Sequence, residues 1–298
     1  MKAVQCVPNF SEGRRRDVVE SIADEMRVAG AKVVDVEMDP DHNRSVITLV
    51  GEPEAVAEAM FKGARKAVAL IDMESHRGEH PRIGAVDVVP FVPLRNVTMA
   101  ECVELARRFG RRLAEELGVP VYLYEEAATR PQYRNLADVR KGEYEGLKAD
   151  ILTNPDRRPD FGPSKLHGSA GATAVGARMP LVAYNVNLDT SDLRIAKRIA
   201  KRVRERDGGL PFVKALGFEI RERGFVQVSM NLTNHHVTPV WKAYEEVERE
   251  ARALGVKVLG SEVVGTIPME ALVACASRHL GLEKFDSRQV LESRLWED

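Results

Sequence analysis

The chain has 298 residues, 44% of them apolar and 30% charged, which suits one large or two ordinary globular domains whose core needs no disulfide staples. Lys and Arg (44) nearly match Asp and Glu (45), leaving a formal charge of −1, so no global basic field draws the protein to nucleic acid or an anionic membrane. The N-terminal MKAVQCVPNF lacks the apolar segment of a secretion signal. No stretch is long and apolar enough to span a bilayer, and Cys6, Cys102 and Cys275 form no CxxC pair, so a soluble cytoplasmic protein with reduced thiols is expected.

In chain order, KAVQCV (2–7) reads as a short buried strand that stops at Pro8. Ser11 offers a helix cap, and Val18, Ile22 and Met26 at helical spacing predict a helix over 13–29, ended by Gly30. AKVVDVEM (31–38) and RSVITLVG (44–51) predict two strands around the polar turn DPDHN, and a second helix covers 53–70. GAVDVVPFVP predicts a strand near 84–92, with Pro90 placing its end at an edge or bulge. This β-α-β-β-α-β order is that of a ferredoxin-like split unit.

A third helix over 99–117 leads into a strand at 119–124. From 125 to about 178 the pattern dissolves into polar, Pro- and Gly-rich sequence, a length that inside a compact domain marks either a functional loop or a linker. The pattern restarts with a strand at 180–188 and a charged helix at 191–207, opened by Thr190 or Ser191. A hairpin turning near Gly224, a helix at 238–254, the strand VKVLGSE and a helix at 268–280 begun by Pro268 complete the chain. The expected fold class is therefore α/β (α+β): two ferredoxin-like subdomains with mixed sheets, residues 1–176 and 179–298, and a ligand cleft between them.

Four stretches carry residues suited to chemistry. In GEHPRIGAVDVVPFVP, His80 sits on a Gly/Pro-shaped loop ahead of an apolar strand, a good place for a general acid–base group; an ordinary surface histidine is the competing reading. In DVEMDPDHNR, Asp35 and Glu37 share one strand face and can orient a histidine or hold a cationic amidine, while Arg44 can clamp a carboxylate; a solvated turn explains the same residues. The glycines of DFGPSKLHGSAGATAVGAR (160–178) let backbone N–H groups approach a ligand, or make a flexible linker, and match neither a P-loop nor GxGxxG, so no nucleotide is expected. Asn185 and Asn187, with Ser229 and Asn231, stand in strands where propensity disfavours them, and either a nitrogen-rich heterocycle or the neighbouring backbone would satisfy them. His235 and His236 are adjacent and point to opposite faces, and no other spacing suits a metal, so none is expected.

Together VQCVPNFSEG (4–13), NRSVITLVG (43–51), GEHPRIGAVDVVPFVP (78–93), LAEELGVPVYLYEEAA (113–128), DFGPSKLHGSAGATAVGAR and the NVNL and QVSMNL strands resemble the glutamate formiminotransferase family, in order across nearly the whole chain. The resemblance implies transfer of a formimino group from N-formimino-L-glutamate to N5 of tetrahydrofolate, with tetrahydrofolate as co-substrate. It makes His80 the catalytic histidine and places Glu37 where the family carries an aspartate, with Asp39 as a competing acidic partner and Arg44 as a carboxylate clamp. The folate-binding loop it implies comprises Gly162, Pro163, Ser164, Lys165, Leu166, His167, Gly168, Ser169, Ala170 and Gly171, although Lys165-Leu166-His167 depart from the family version. Asn187 and Asn231 are read as further folate contacts. A homodimer is implied, and a separate cyclodeaminase is expected to perform the next step. An N-formylglutamate donor and a non-catalytic folate-binding module are the alternative functions.

Overall fold

The computed structural model describes residues 1–28, 30–220 and 223–296. The chain divides into two compact units, Met1–Arg178 and Met179–Asp298. The first is built on a seven-stranded mixed sheet and the second on a four-stranded antiparallel sheet.

In the first unit β1 (Ala3–Cys6) and β2 (Asn9–Phe10) are two pieces of one line, broken at Val7–Pro8 and lying between β4 (Arg44–Gly51) and β5 (Val86–Arg95). β3 (Lys32–Asp39) pairs with β4 on its other side, so the four lines of strand run β3–β4–β1/β2–β5, all antiparallel. The helices α1 (Arg16–Val28) and α2 (Pro53–Leu70) connect them. Val19, Ile22 and Met26 of α1 and Met60, Ala64 and Ala67 of α2 are fully buried, and each large apolar side chain so placed contributes about 1.5–3 kcal/mol. A Cβ on Gly63 would stand 2.1 Å from Met26 Cε, which is why the helices can approach so closely there.

The strand ending in Pro90 runs further than its sequence suggests. β5 continues to Arg95 with Pro90 in its interior, because the register sets Pro90 opposite the break at Val7–Pro8, where the neighbouring ladder is itself interrupted. β5 then leads through α3 (Met99–Leu117), opened by a Thr98–Glu101 capping box, to β6 (Val121–Glu125).

The stretch from 125 to 178 is not structureless. It folds into 3₁₀ turns at Pro131–Tyr133 and Pro155–Arg157, the helices α4 (Leu136–Val139) and α5 (Glu143–Asp150), and the strand β7 (Thr173–Ala177). β7 inserts between β5 and β6, parallel to both, and all five of its residues are buried. Its small side chains read as a loop by composition; the sheet selects them, since a Cβ on Gly176 would stand 2.6 Å from the Tyr124 ring.

In the second unit β8 (Val182–Leu188), α6 (Leu193–Val203), β9 (Val213–Ile220), β10 (Phe225–Leu232), α7 (Val240–Ala253) and β11 (Val258–Val264) precede α8 (Met269–Leu280). The order β11–β8–β10–β9 repeats that of the first four lines. This sheet is antiparallel throughout rather than mixed, because among the described residues no fifth strand joins it by a crossover as β6 and β7 do in the first unit. α6 is shorter than its charged pattern suggests; Asp192, not Thr190 or Ser191, caps it by accepting the Arg194 N–H.

Candidate active site

The turn between β3 and β4 is built by its own side chains. Asp39 Oδ1 accepts the N–H groups of Asp41 and His42, and its other oxygen meets His42 Nδ1 at 2.5 Å. Asn43 takes a left-handed conformation (φ 48°), which asparagine tolerates, and its amide ties the Gly13 N–H to the Arg77 carbonyl. A Cβ on Gly78 would stand 2.3 Å from the His42 carbonyl oxygen, so the loop carrying His80 presses directly on this turn.

His80 is half-buried, with its ring edge-on to His42 at 6.2 Å between centroids. Burial, then the positive charges of Arg44 and Arg140, push its basicity down to about 3, against a smaller pull upward from the Pro81 carbonyl. The free imidazole is therefore neutral across the physiological range. Arg44 donates from Nε (2.9 Å) and Nη2 (2.6 Å) to Asn9 Oδ1, a neutral acceptor. Burial and the charge of Arg140 make its cation less favourable than usual, and among the described residues no carboxylate pairs with it.

Arg140 enters from the end of α4, and its Nη2 bonds Oδ2 of Asp87. Asp87 is 1% exposed, and its other oxygen accepts the Ile83 N–H at 2.8 Å. Next to this pair lies a buried relay. Arg82 Nε donates to His76 Nδ1 (3.2 Å), so His76 is neutral and donates from Nε2 to the Asn43 carbonyl (2.9 Å). Asp87, with Phe10, Ser11, Asn43, Arg44 and His80, helps line a narrow recess. A wider neighbouring pocket of about 250 Å³ shares Ser11, Asn43 and His76 and adds Glu12, Arg14 and Arg15.

Glu37 lies on β3 beside Asp35. Burial and that second carboxylate make it harder to ionise, while Arg44 opposes the effect. It makes no hydrogen bond to His80 among the described residues. Asp39 reaches His80 only through His42.

The glycine-rich loop is stitched to the same region. His167 and Gly171 exchange backbone hydrogen bonds, and His167 Nδ1 accepts the Ala170 N–H. The carbonyls of Ser169 and Ala170 accept the N–H groups of Met73 and Ala85, and Ala172 donates to the Ile83 carbonyl. Gly84 pairs with Gly171 so tightly that a Cβ on Gly84 would stand 2.0 Å from the Ala172 oxygen. The loop thus docks four residues beyond His80. Gly162, Pro163, Ser164, Lys165 and Gly168 remain exposed, and Leu166 is buried.

In the second unit Asn187 accepts from Gln227 Nε2 at 2.8 Å, and both Gln227 and Asn185 donate to Glu262. Neighbouring side chains therefore meet part of the need of these strand amides. Asn231 is exposed, beside Ala183 and Lys214 on the flanking strands.

Asp87, Arg82, His76 and Arg140 escaped the sequence reading. A carboxylate within the apolar run VDVVPF was a usable signal for Asp87. Arg140 stands in a stretch with no periodicity, and nothing local marks it. Among the described residues no group of His, Cys, Asp and Glu is arranged to hold a metal ion, and no helix is long and apolar enough to cross a membrane.

A neutral histidine beside two guanidiniums, in the first unit of a two-unit α/β chain, can accept a proton while the guanidiniums offer positive charge to an anion. The chain belongs to the formiminotransferase family: residues 3–178 match the formiminotransferase domain, N-terminal subdomain, and residues 183–293 match the formiminotransferase domain. It is 51% identical to the glutamate formimidoyltransferase of Thermoplasma acidophilum over 99% of this chain and 98% of that protein. It is 47% identical to the glutamate formimidoyltransferase of Streptococcus pyogenes over 99% of both chains. Against the formimidoyltransferase-cyclodeaminase of Rattus norvegicus it is 46% identical, covering 94% of this chain and 53% of the longer relative.

Proposed function

We propose that this chain is a glutamate formimidoyltransferase, moving the formimino group of N-formimino-L-glutamate to N5 of tetrahydrofolate and releasing L-glutamate. The observation that carries the reading is the neutral, half-buried His80, set beside Arg44 and stitched through Gly84 to the glycine-rich loop. The N5 amine attacks the formimino carbon, forming a C–N bond and a tetrahedral intermediate. Collapse breaks the C–N bond to glutamate. His80 accepts the proton that N5 loses and returns one to the departing amine, a role worth on the order of 10²–10⁴-fold in rate. Holding both substrates together supplies a further proximity term.

Arg44 offers a charge-assisted contact to a substrate carboxylate. Glu37, with no hydrogen bond to His80, suits the second of its expected roles, stabilising the positive charge that develops on the amidine. Folate is assigned to the backbone of Gly162–Gly171, and Asn187 and Asn231 are read as further folate contacts; the subdomains 1–176 and 179–298 are each read as a ferredoxin-like unit. A homodimer in the cytoplasm belongs to the same reading.

A turnover assay with tetrahydrofolate and N-formiminoglutamate tests it, with N-formylglutamate as a second donor and His80→Ala as control. Formiminoglutamate turnover that collapses in His80→Ala supports it. Preference for the formyl donor, or folate binding without turnover of either donor, overturns it.

A further inference from the structure

We propose that Arg140 acts with Arg44 as a two-guanidinium seat, beside His80, for a carboxylate of the amino-acid donor. This deepens the formiminotransferase reading and rests on it.

Three observations converge on this seat. The first is how the two cations are paired. Among the described residues the Arg44 side chain hydrogen-bonds only the neutral Asn9 oxygen and the Arg140 side chain only Asp87, while Asp87, Asp39 and Glu37 act on Arg44 through space. Each lies within electrostatic range of the other and of His80. The second is an unmet donor: the Nε of Arg140 is buried with no hydrogen-bond partner, a costly state unless a ligand or water meets it. The third is the rigidity of its mounting. Immediately after Arg140, Gly142 and Glu143 both take positive φ (81° and 55°), and the Glu143 N–H bonds the Arg140 carbonyl at 2.7 Å. Positive φ at a glutamate is backbone strain that only surrounding structure maintains.

That surrounding structure leads back to Arg44. Glu143 and Glu145 grip Arg82, Arg82 donates to His76, and His76 donates to the carbonyl of Asn43, the residue before Arg44. Arg157 holds the carbonyl of Lys141 on the other side. One network therefore sets the backbone of both cations, although they are 96 residues apart in sequence.

The groups facing His80 are Arg44 on β4, His42 in the turn before it, Arg140 at the end of α4 and Asp87 on β5, with Glu37 and Asp39 acting on Arg44 from β3. Burial is the first cause of the imidazole's low basicity, and a carboxylate seated between the guanidiniums offsets the part that Arg44 and Arg140 add to it. A proton acceptor works best when its basicity lies near the working pH, so the donor itself tunes the base that will act on it.

The test uses glutarate, a dicarboxylate with no transferable group, together with steady-state kinetics. The wild type should bind glutarate by calorimetry, and Arg140→Gln should weaken binding by about tenfold or more. The donor KM should rise in parallel while the tetrahydrofolate KM stays within about twofold, and Arg140→Lys should recover part of the loss. Because Arg140→Gln leaves Asp87 buried without its cation, the double variant Asp87→Asn/Arg140→Gln provides a folded background in which the same loss is expected. Glutarate binding and donor KM unchanged in a folded variant would mean that Arg140 merely neutralises Asp87, and the proposal fails. Absence of glutarate binding by the wild type also overturns it. Arg140-dependent glutarate binding without formiminoglutamate turnover would retain the anion seat and reject the assigned reaction.

Discussion

Arg82 donates its Nε to Nδ1 of His76 at 3.2 Å, and that single bond dictates which nitrogen of His76 is left to donate to the Asn43 carbonyl. The arginine is 6% exposed and also holds Glu143 and Glu145. It therefore connects the turn bearing Arg44 with the helical segment bearing Arg140. Replacement by Gln should cost about 1–3 kcal/mol of stability, the range for lost hydrogen bonds to charged groups. Chemical denaturation of Arg82→Gln checks this, and a midpoint equal to that of the wild type would show that the relay bears no load.

His80→Ala should fold normally and lose on the order of 10²–10⁴-fold in kcat. Circular dichroism with single-turnover kinetics separates chemistry from folding. Near-full turnover would remove His80 from the reaction.

The pH dependence of stability has a definite sign. The folded-state value of His80, about 3, lies below the 6.5 of an unperturbed histidine, so as pH falls the unfolded chain takes up the proton first. Stability from this group is complete above about pH 6.5 and declines toward pH 3; burial shifts His76 in the same direction. His80→Asn should flatten the slope of unfolding free energy in that window. An unaltered slope would contradict the neutral imidazole.

Rates should show a related split. The profile of kcat/KM reports the free enzyme and that of kcat the loaded one. An anion seated beside His80 should move the acid limb of kcat to higher pH than that of kcat/KM. Coincident limbs would argue that no such charge arrives with substrate.

Gly84→Ala should destabilise the protein and loosen the glycine-rich loop, since its methyl would overlap the carbonyl oxygens of Ala172 (2.0 Å) and Ala170 (2.6 Å). Loss of about 1–3 kcal/mol is expected, together with faster amide exchange at Ala85 and Ala172. Protection unchanged at both would show that the loop docks by other contacts.

Much of the fold is legible in the sequence. Helical spacing at Val18, Ile22 and Met26, the strands around DPDHN, and the restart of β-α-β-β-α-β near residue 180 depend on local periodicity, which a sequence displays directly. His80, Glu37 and Arg44 stand out as candidates because they sit in distinctive runs. Pro90 misled because the break opposite it, at Val7–Pro8, lies far away in the chain. β7 was read as a loop because buried Ala and Gly have no period of their own and gain meaning only between β5 and β6.

By itself the sequence displayed the periodic elements, their repeated order along the chain and the distinctive run that carries His80. Tertiary structure alone decided that histidine's charge and company. Burial and the fields of Arg44 and Arg140 hold it neutral, and those fields depend on through-space distance, which no local pattern encodes. Arg140 lies 60 residues beyond His80, in a stretch whose helices carry no periodic signal and are tied to the unit by Arg82, Glu74 and Arg157.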